Sequence, residues 1–321
     1  MIQYKFFIIL LMVWSLYGCK NNDDVNIECK LNSKQECPSS LYSIDIYKGK
    51  TPFNITPLHT RPIFTSCDLN KSGISSKFVA DPFLLKIKNI NYLFFEYYNN
   101  KTKKGEIGVA ESKKLCNFTF TSTVLTEDFH LSYPQLIEDK GNYYMIPESY
   151  HDNSIRLYKF IDFPTQLEFV TQIIIGRKFV DSTLFKYKNV YYIFSTSPMN
   201  KELRLYYSDN LEYGWVEHPK SPIIIENKHI ARPAGNIFKY KNKIYRVTQD
   251  DYPTYGNQVR AIEILKLTTE DYKEDKEHSK IIVKKSDISK SWNEIGMHQV
   301  DMHYINGDYY GVVDGKRKIN E

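Results

Sequence analysis

Apolar and polar positions alternate along this chain over short runs. The runs come in pairs joined by tight turns that carry Asn or Gly. Such pairs predict β-hairpins. One phrase occurs five times, at 81–95 (DPFLLKIKNINYLFF), 133–146 (YPQLIEDKGNYYMI), 181–194 (DSTLFKYKNVYYIF), 232–247 (RPAGNIFKYKNKIYRV) and 298–312 (HQVDMHYINGDYYGV). Each copy is an apolar strand, a turn, and a second strand opening on tyrosine. A third-strand phrase follows the first four copies, at 106–111, 154–159, 203–208 and 259–265. Fourth-strand candidates come next, at 118–125, 169–175, 216–225 and 280–284.

Four antiparallel strands recurring as a unit predict a blade of a β-propeller. The expected fold class is therefore all-β, a five-bladed β-propeller with four-stranded blades. The fifth unit ends after its second strand. Residues 42–47 (YSIDIY) match the third-strand phrase and 62–67 match a fourth strand. N-terminal strands closing the last blade would cover edges that otherwise invite aggregation. No linker composition interrupts residues 39–321, so they are expected to form one domain.

The first residues have a different pattern. Lys5 precedes an apolar run over 6–14, and Leu16, Gly18 and Cys19 stand at the −3, −1 and +1 positions of a resemblance to the bacterial lipobox. The run is too short to span a bilayer and has secretory proportions. Residues 1–18 are thus expected to be a lipoprotein signal peptide, and 19–38 a lipidated Cys19 with a polar tether. Asp23 and Asp24 resemble a surface-export tag of Bacteroidota lipoproteins. This leads to the expectation of a bacterial lipoprotein, anchored to the membrane through its lipid, at the outer membrane or cell surface. The remaining cysteines are Cys29, Cys37, Cys67 and Cys116, with no CxxC pair, which disfavours zinc and redox motifs. In an exported chain Cys29 and Cys37 could close a short loop.

Composition narrows the function classes. The 321 residues are 42% hydrophobic and 25% charged, which excludes disordered and collagen-like chains. The net charge of +5 is spread along the sequence, so no nucleic-acid partner is expected. Most of the 26 tyrosines fall at repeated strand positions and are expected to pack blade against blade. Tyr133, Tyr150 and Tyr252 remain as candidates for stacking on a sugar.

Candidate chemistry follows from the topology. The start of each first strand and the end of each second strand meet at one rim, because the two run antiparallel. Asp81, Tyr133, Asp181, Arg232 and His298 start the first strands. Glu96, Glu148, Asp250 with Asp251, and Asp314 end the second strands. Carboxylates, an arginine and aromatics on one rim suit a polyhydroxylated sugar, and paired carboxylates can cleave a glycosidic bond. Asp81, Asp181, Glu148 and Asp250 are the catalytic candidates. Arg232, Tyr133, His298, Asp301 and Asp251 are the binding candidates, with an oligo- or polysaccharide as the ligand. No metal site or cofactor is expected, although His298 and Asp301 could hold a central ion.

Asp in the opening strands of blades one and three resembles the furanosidase propellers, the glycoside hydrolases of families 43 and 32. The resemblance implies a base or nucleophile at Asp81 and an orienting role for Asp181. Their acid is a Glu opening blade four, where this chain reads Ala231-Arg232-Pro233-Ala234-Gly235. Glu148 or Asp250 would have to donate the proton instead. A wider set of phrases includes 78–84 (FVADPFL), 130–136 (HLSYPQL), 143–149 (YYMIPES), 203–209 (LRLYYSD) and 231–238 (ARPAGNIF). This set resembles the N-terminal domain of the glucosamine inositolphosphorylceramide transferases and their bacterial relatives over nearly all of residues 41–315. That resemblance implies the fold and a link to glycans. No transferase activity is carried over, because the plant enzyme holds its transferase domain separately. A non-catalytic glycan-binding or accessory propeller is the alternative expectation.

Overall fold

The computed structural model describes residue 31 and residues 37–319. The signal-peptide region, Cys19 and Cys29 lie outside the described residues. Among the described residues, no helix is long and apolar enough to cross a membrane.

Five antiparallel sheets form a five-bladed β-propeller. Blade one is Ser76–Ile87, Ile90–Asn99, Lys104–Ser112 and Thr119–Leu125. Blade two is Ser132–Asp139, Asn142–Glu148, Ser154–Asp162 and Gln166–Ile175. Blade three is Val180–Tyr187, Val190–Thr196, Leu203–Ser208 and Val216–Glu217. Blade four is Phe238–Tyr240, Lys243–Asp250, Gln258–Leu267 and Tyr272–Glu274, and Lys280–Lys284 also pairs with Gln258–Leu267. Blade five joins Val300–Ile305 and Asp308–Lys316 to the N-terminal strands Tyr42–Thr51 and Asn54–Pro57.

The N-terminal closure follows the sequence expectation in its third strand and departs from it in the fourth. The fourth strand is Asn54–Pro57, because the turn after Thr51 folds the chain straight back. Residues 62–67 do not form it. Phe64 makes one bridge to Ile44, and a short helix then runs Ser66–Lys71. The expected outer strand of blade three is also shorter. Only Val216–Glu217 pairs, and Ile224 returns as a lone bridge to Leu203. The expected Cys29–Cys37 loop is replaced by a Cys37–Cys67 disulfide, which ties the N-terminal segment to that helix. Cys116 is also disulfide-bonded.

Five apolar clusters hold the ring together, each wedged between two neighbouring blades. Leu93 and Phe95 of blade one pack on Ile44, Tyr310 and Val312 of blade five. Ile137, Tyr144 and Ile146 of blade two pack on Leu184, Tyr191 and Ile193 of blade three. The repeated tyrosines serve this packing: Tyr144, Tyr191, Tyr192, Tyr245 and Tyr310 are all buried. Such rings combine large apolar area with a polar tip that can find a partner at the sheet edge.

The first strands of blades one, two and three slip register at the same point, by a bulge at Asp81, Tyr133 and Asp181. All three residues have positive φ, of 52°, 45° and 48°. Bulges of this kind re-aim side chains and recur beside functional sites. Blade four uses glycine at the corresponding stretch. Gly235 has φ 137°, and a Cβ there would lie 2.0 Å from the Val300 carbonyl oxygen. Only glycine lets blades four and five approach so closely.

Candidate active site

Two groups of side chains meet at the mouth where the first strands begin. The first is built on Asp314. Its Oδ1 accepts the backbone N–H groups of His298 (3.2 Å) and Gln299 (3.1 Å) and the His298 Nδ1–H (2.6 Å). Its Oδ2 accepts the N–H of Asp81 at 2.9 Å. Asp81 in turn accepts the Tyr133 N–H at 3.1 Å and faces His298 Nε2 at 3.6 Å. His298 stacks on Tyr42 with ring centres 4.9 Å apart and meets Tyr255 edge-on. Burial opposes charge on His298, but Asp314 and Asp81 outweigh it and its pKa is pushed up to about 9. His298 is therefore an imidazolium at neutral pH. Burial raises Asp81 well above the usual carboxylate range. His298 pulls it down, and Glu96, Asp181 and Asp314 push it up.

The second group joins Asp181, Glu148 and Arg232. Arg232 donates Nε–H to Asp181 Oδ2 at 2.6 Å, and Gln249 donates to the same oxygen at 3.0 Å. Asp181 Oδ1 is buried and receives no N–H or hydroxyl donor. Glu148 lies against Asp181 as a hydrogen-bonding neighbour. Arg232 Nη2 stands 3.8 Å from Glu148 Oε2. Burial raises the Glu148 pKa well above its ordinary value, the Asp181 charge adds to that, and Arg232 opposes it. Glu148 is thus pushed toward its neutral form beside an arginine-anchored Asp181. Arg232 Nη1 also donates to Asn200, which donates to Asp251 at 2.9 Å. The half-exposed Tyr255 ring covers the guanidinium at 5.2 Å.

Glu96 completes the mouth from blade one. It sits 3.1 Å from His130 Nε2, while His130 Nδ1 accepts the Gly105 N–H at 2.8 Å. That acceptor role fixes the Nε2–H tautomer. A Cβ on Gly105 would come within 2.8 Å of Glu96 Oε1, so the glycine makes room for this contact.

Several expected site residues lie elsewhere. Asp250 points away from the mouth, to His229 (2.7 Å), Arg260 (2.8 Å) and Gln258 (2.8 Å). Burial raises its pKa, but these partners outweigh that and hold it below the usual range, the reverse of what a proton donor needs. Asp251, just past the end of the strand, faces the mouth instead, where Asn200 donates to it. Tyr133 is fully buried and no ring surface is left for a sugar. Its hydroxyl accepts the Gly235 N–H at 2.6 Å and bonds Thr183 at 2.7 Å, so it plugs the channel below the mouth. Asp301 lies in a deeper layer. It accepts from the Leu84 N–H (2.8 Å), Asn236 (2.8 Å) and His303 (2.7 Å). Asp301 is thus taken up by these donors. Asp81, His298 and Asp314 are instead the trio, among the described residues, whose ligand atoms lie within 4.8 Å of one another.

Sequence reading missed Tyr42, Asn200 and the stacking role of Tyr255. Tyr42 reaches the mouth only because the N-terminal strand completes blade five, and no local signal marks its register. A separate recess among the described residues, lined by Arg61, Ile63, Thr65 and Trp292, lies away from these carboxylates.

The family model for the N-terminal region of glucosamine inositolphosphorylceramide transferase 1 matches residues 34–316. The Arabidopsis thaliana transferase of that name is 31% identical over 299 residues, covering 86% of this chain and 39% of its own length. The Oryza sativa subsp. japonica protein is equally similar, with 40% of its length covered. The chain thus spans about two fifths of these relatives. Among solved structures, an exo-β-1,3-galactanase from Clostridium thermocellum superposes with a TM-score of 0.60 at 12% identity, covering 75% of this chain and 57% of that one. A Cellvibrio cellulosa α-L-arabinanase complexed with arabinohexaose gives 0.53 at 14% identity, covering 73% and 90%. These structures show the shared propeller fold. The curated relatives are plant proteins, which overturns the expectation of a bacterial lipoprotein at the outer membrane or cell surface. By the match over residues 34–316, the chain belongs to the family of the N-terminal domain of glucosamine inositolphosphorylceramide transferase 1.

Proposed function

We propose that the channel mouth binds the end of a glycan, and that Glu148, Asp181 and Asp81 supply acid–base chemistry for cleaving a glycosidic bond. One observation carries this reading. Glu148 is a buried carboxyl, its pKa pushed well above the ordinary value by burial and by the charge of Asp181, set against an arginine-pinned Asp181 and close to a separate Asp81. A general acid must hold its proton while its partner base is ionised, and on Asp81 the His298 charge, 3.6 Å away, favours the ionised form against burial. Glu148 would give its proton to the leaving oxygen. The charge on Asp181 keeps that proton in place until then. Asp81, held by the Tyr133 N–H, would act as base or nucleophile on the other side of the sugar. Asn200 and Asp251 offer partners for hydroxyls, and Tyr255 offers a ring face. The fold neighbours, a galactanase and an arabinanase bound to arabinohexaose, support a glycan as the ligand class.

A second reading has its own observation. Blade four opens on Arg232 without a carboxylate, and Arg232 and His298 both engage the acids as ion pairs. A mouth neutralised in this way suits a glycan-binding module that does not turn over. A glycan panel separates the two readings, run with the wild type and with Asp81→Asn, Asp181→Asn and Glu148→Gln. Product from the wild type that disappears in Glu148→Gln, with binding kept, is the expected result. Binding without product in every variant would refute catalysis and leave the module.

A further inference from the structure

We propose that the opposite face of the propeller, made by the turns between first and second strands, docks on an anionic lipid surface. Four of the five inner turns place a lysine in left-handed backbone: Lys88 (φ 53°), Lys140 (50°), Lys188 (47°) and Lys241 (47°). The fifth uses Asn306 at φ 50°. Asn and Gly fit this conformation at lower cost than a long side chain. The repeated choice of lysine is therefore not dictated by the turn. All four are exposed, and they stand around the end of the channel that Asn236, Gln135 and Asp301 close.

The flanking positions extend the charge. Lys86, Lys186, Lys239 and Lys243 are exposed beside these turns. Four acids share the inner ring, and Glu263 is paired with Lys243 at 2.8 Å. Asp139 is paired with Lys186 at 2.6 Å, and Asp308 with Lys48 at 3.3 Å and Lys50 at 2.5 Å. Glu138 is the uncompensated acid. The outer turns of the same face mix Lys113 and Lys114 with Asp209, Glu212, Glu270 and Asp271, so the basic excess is confined to the inner ring.

Aromatic residues sit among the lysines. Tyr304 is 65% exposed, and Lys188 and Lys241 lie over the rings of Tyr187 and Tyr240. Lysines interleaved with tyrosines on a ring of loop tips match the headgroup layer of a bilayer, where tyrosine partitions and each basic residue adds attraction. A nucleic-acid strand would instead need a continuous basic groove with stacking faces along it.

The test is co-sedimentation of the full chain with vesicles of phosphatidylcholine alone or with about 30 mol% phosphatidylserine, at about 50 mM and 150 mM salt. Binding to the anionic vesicles alone, weakened by salt, is expected. Replacing Lys88, Lys140, Lys188 and Lys241 by Asn suits the left-handed turns, so the variant should fold. Each substitution should weaken binding about fivefold, and the four together several-hundred-fold. Lys113→Asn with Lys114→Asn should leave binding within about twofold, since the outer ring carries both signs. No binding at the lower salt, binding unchanged in the four-fold variant, or an equal loss in the outer-turn variant would each overturn the proposal.

Discussion

Replacing Tyr133 by Phe separates a structural plug from a ligand contact. The ring would stay, with its edge-to-face contact on Phe83 at 5.0 Å. What leaves is one oxygen. It accepts the Gly235 N–H at 2.6 Å, bonds the Thr183 hydroxyl at 2.7 Å, and lies 3.3 Å from the Gly235 carbonyl. Thr183 keeps a contact to that carbonyl at 3.4 Å. The Gly235 N–H has no such fallback, because the glycine is pressed against Val300 of blade five. A stranded buried donor costs about 1–3 kcal/mol, and the lost hydroxyl bond adds about 1 kcal/mol. The expected loss is about 2–3 kcal/mol, or about 4–10 °C in Tm. Urea unfolding should show a lower midpoint at unchanged slope. Glycan affinity should stay at the wild-type value, since the ring is fully buried. A loss below about 0.5 kcal/mol would refute the plug. So would weakened glycan binding at unchanged stability.

Three further outcomes are expected. Asp45 is fully buried against His59, and burial, partly offset by His59, pushes its pKa up to about 6. The fold therefore favours its protonated form. The Asp45 contribution to stability should fall as pH rises from about 4 through 6, so the advantage of Asp45→Asn should grow by about 2–3 kcal/mol across that window; an advantage that does not change with pH would contradict this. His298 has the same sign in a higher pH window. Its raised pKa stabilises the fold below the unfolded value near 6.5, and about 3 kcal/mol should be lost as pH climbs through about 9. Chemical unfolding of His298→Gln should lack that loss. Separating Cys37 from Cys67 with a Cys67→Ser change should cost about 3–4 kcal/mol by loop entropy, and a thermal shift near zero would argue against the bridge.

The fold was legible because the blade repeats itself in sequence. The hairpin phrase fixes five first and second strands, and the tyrosines mark the same point in each. What was not legible depends on contacts between distant segments. The fourth strand of blade five was misplaced because 54–57 is too short to show alternation, while 62–67 is apolar for another reason: Ile63 and Phe64 enter the core between blades five and one. At the site, the convergence of Asp81, Asp181, Glu148 and Arg232 follows from antiparallel geometry and could be read in advance. The separation of Asp250 from Asp251 could not. The strand ends between them and the two point to opposite sides, but nothing local says which side faces the mouth. Tyr133 misled for a related reason. It starts a first strand, as rim residues do, and shares the bulge of Asp81 and Asp181, yet its longer side chain is fully buried with its hydroxyl on Thr183 and the Gly235 N–H.

Hydrogen exchange with and without a glycan taken from the panel tests most directly where a glycan sits. Protection should appear at 145–151, 197–201 and 250–257, the segments that carry Glu148, Asn200 and Asp251 with Tyr255, and should vanish in Arg232→Met. Protection confined to other segments, or unchanged by Arg232→Met, would contradict the account.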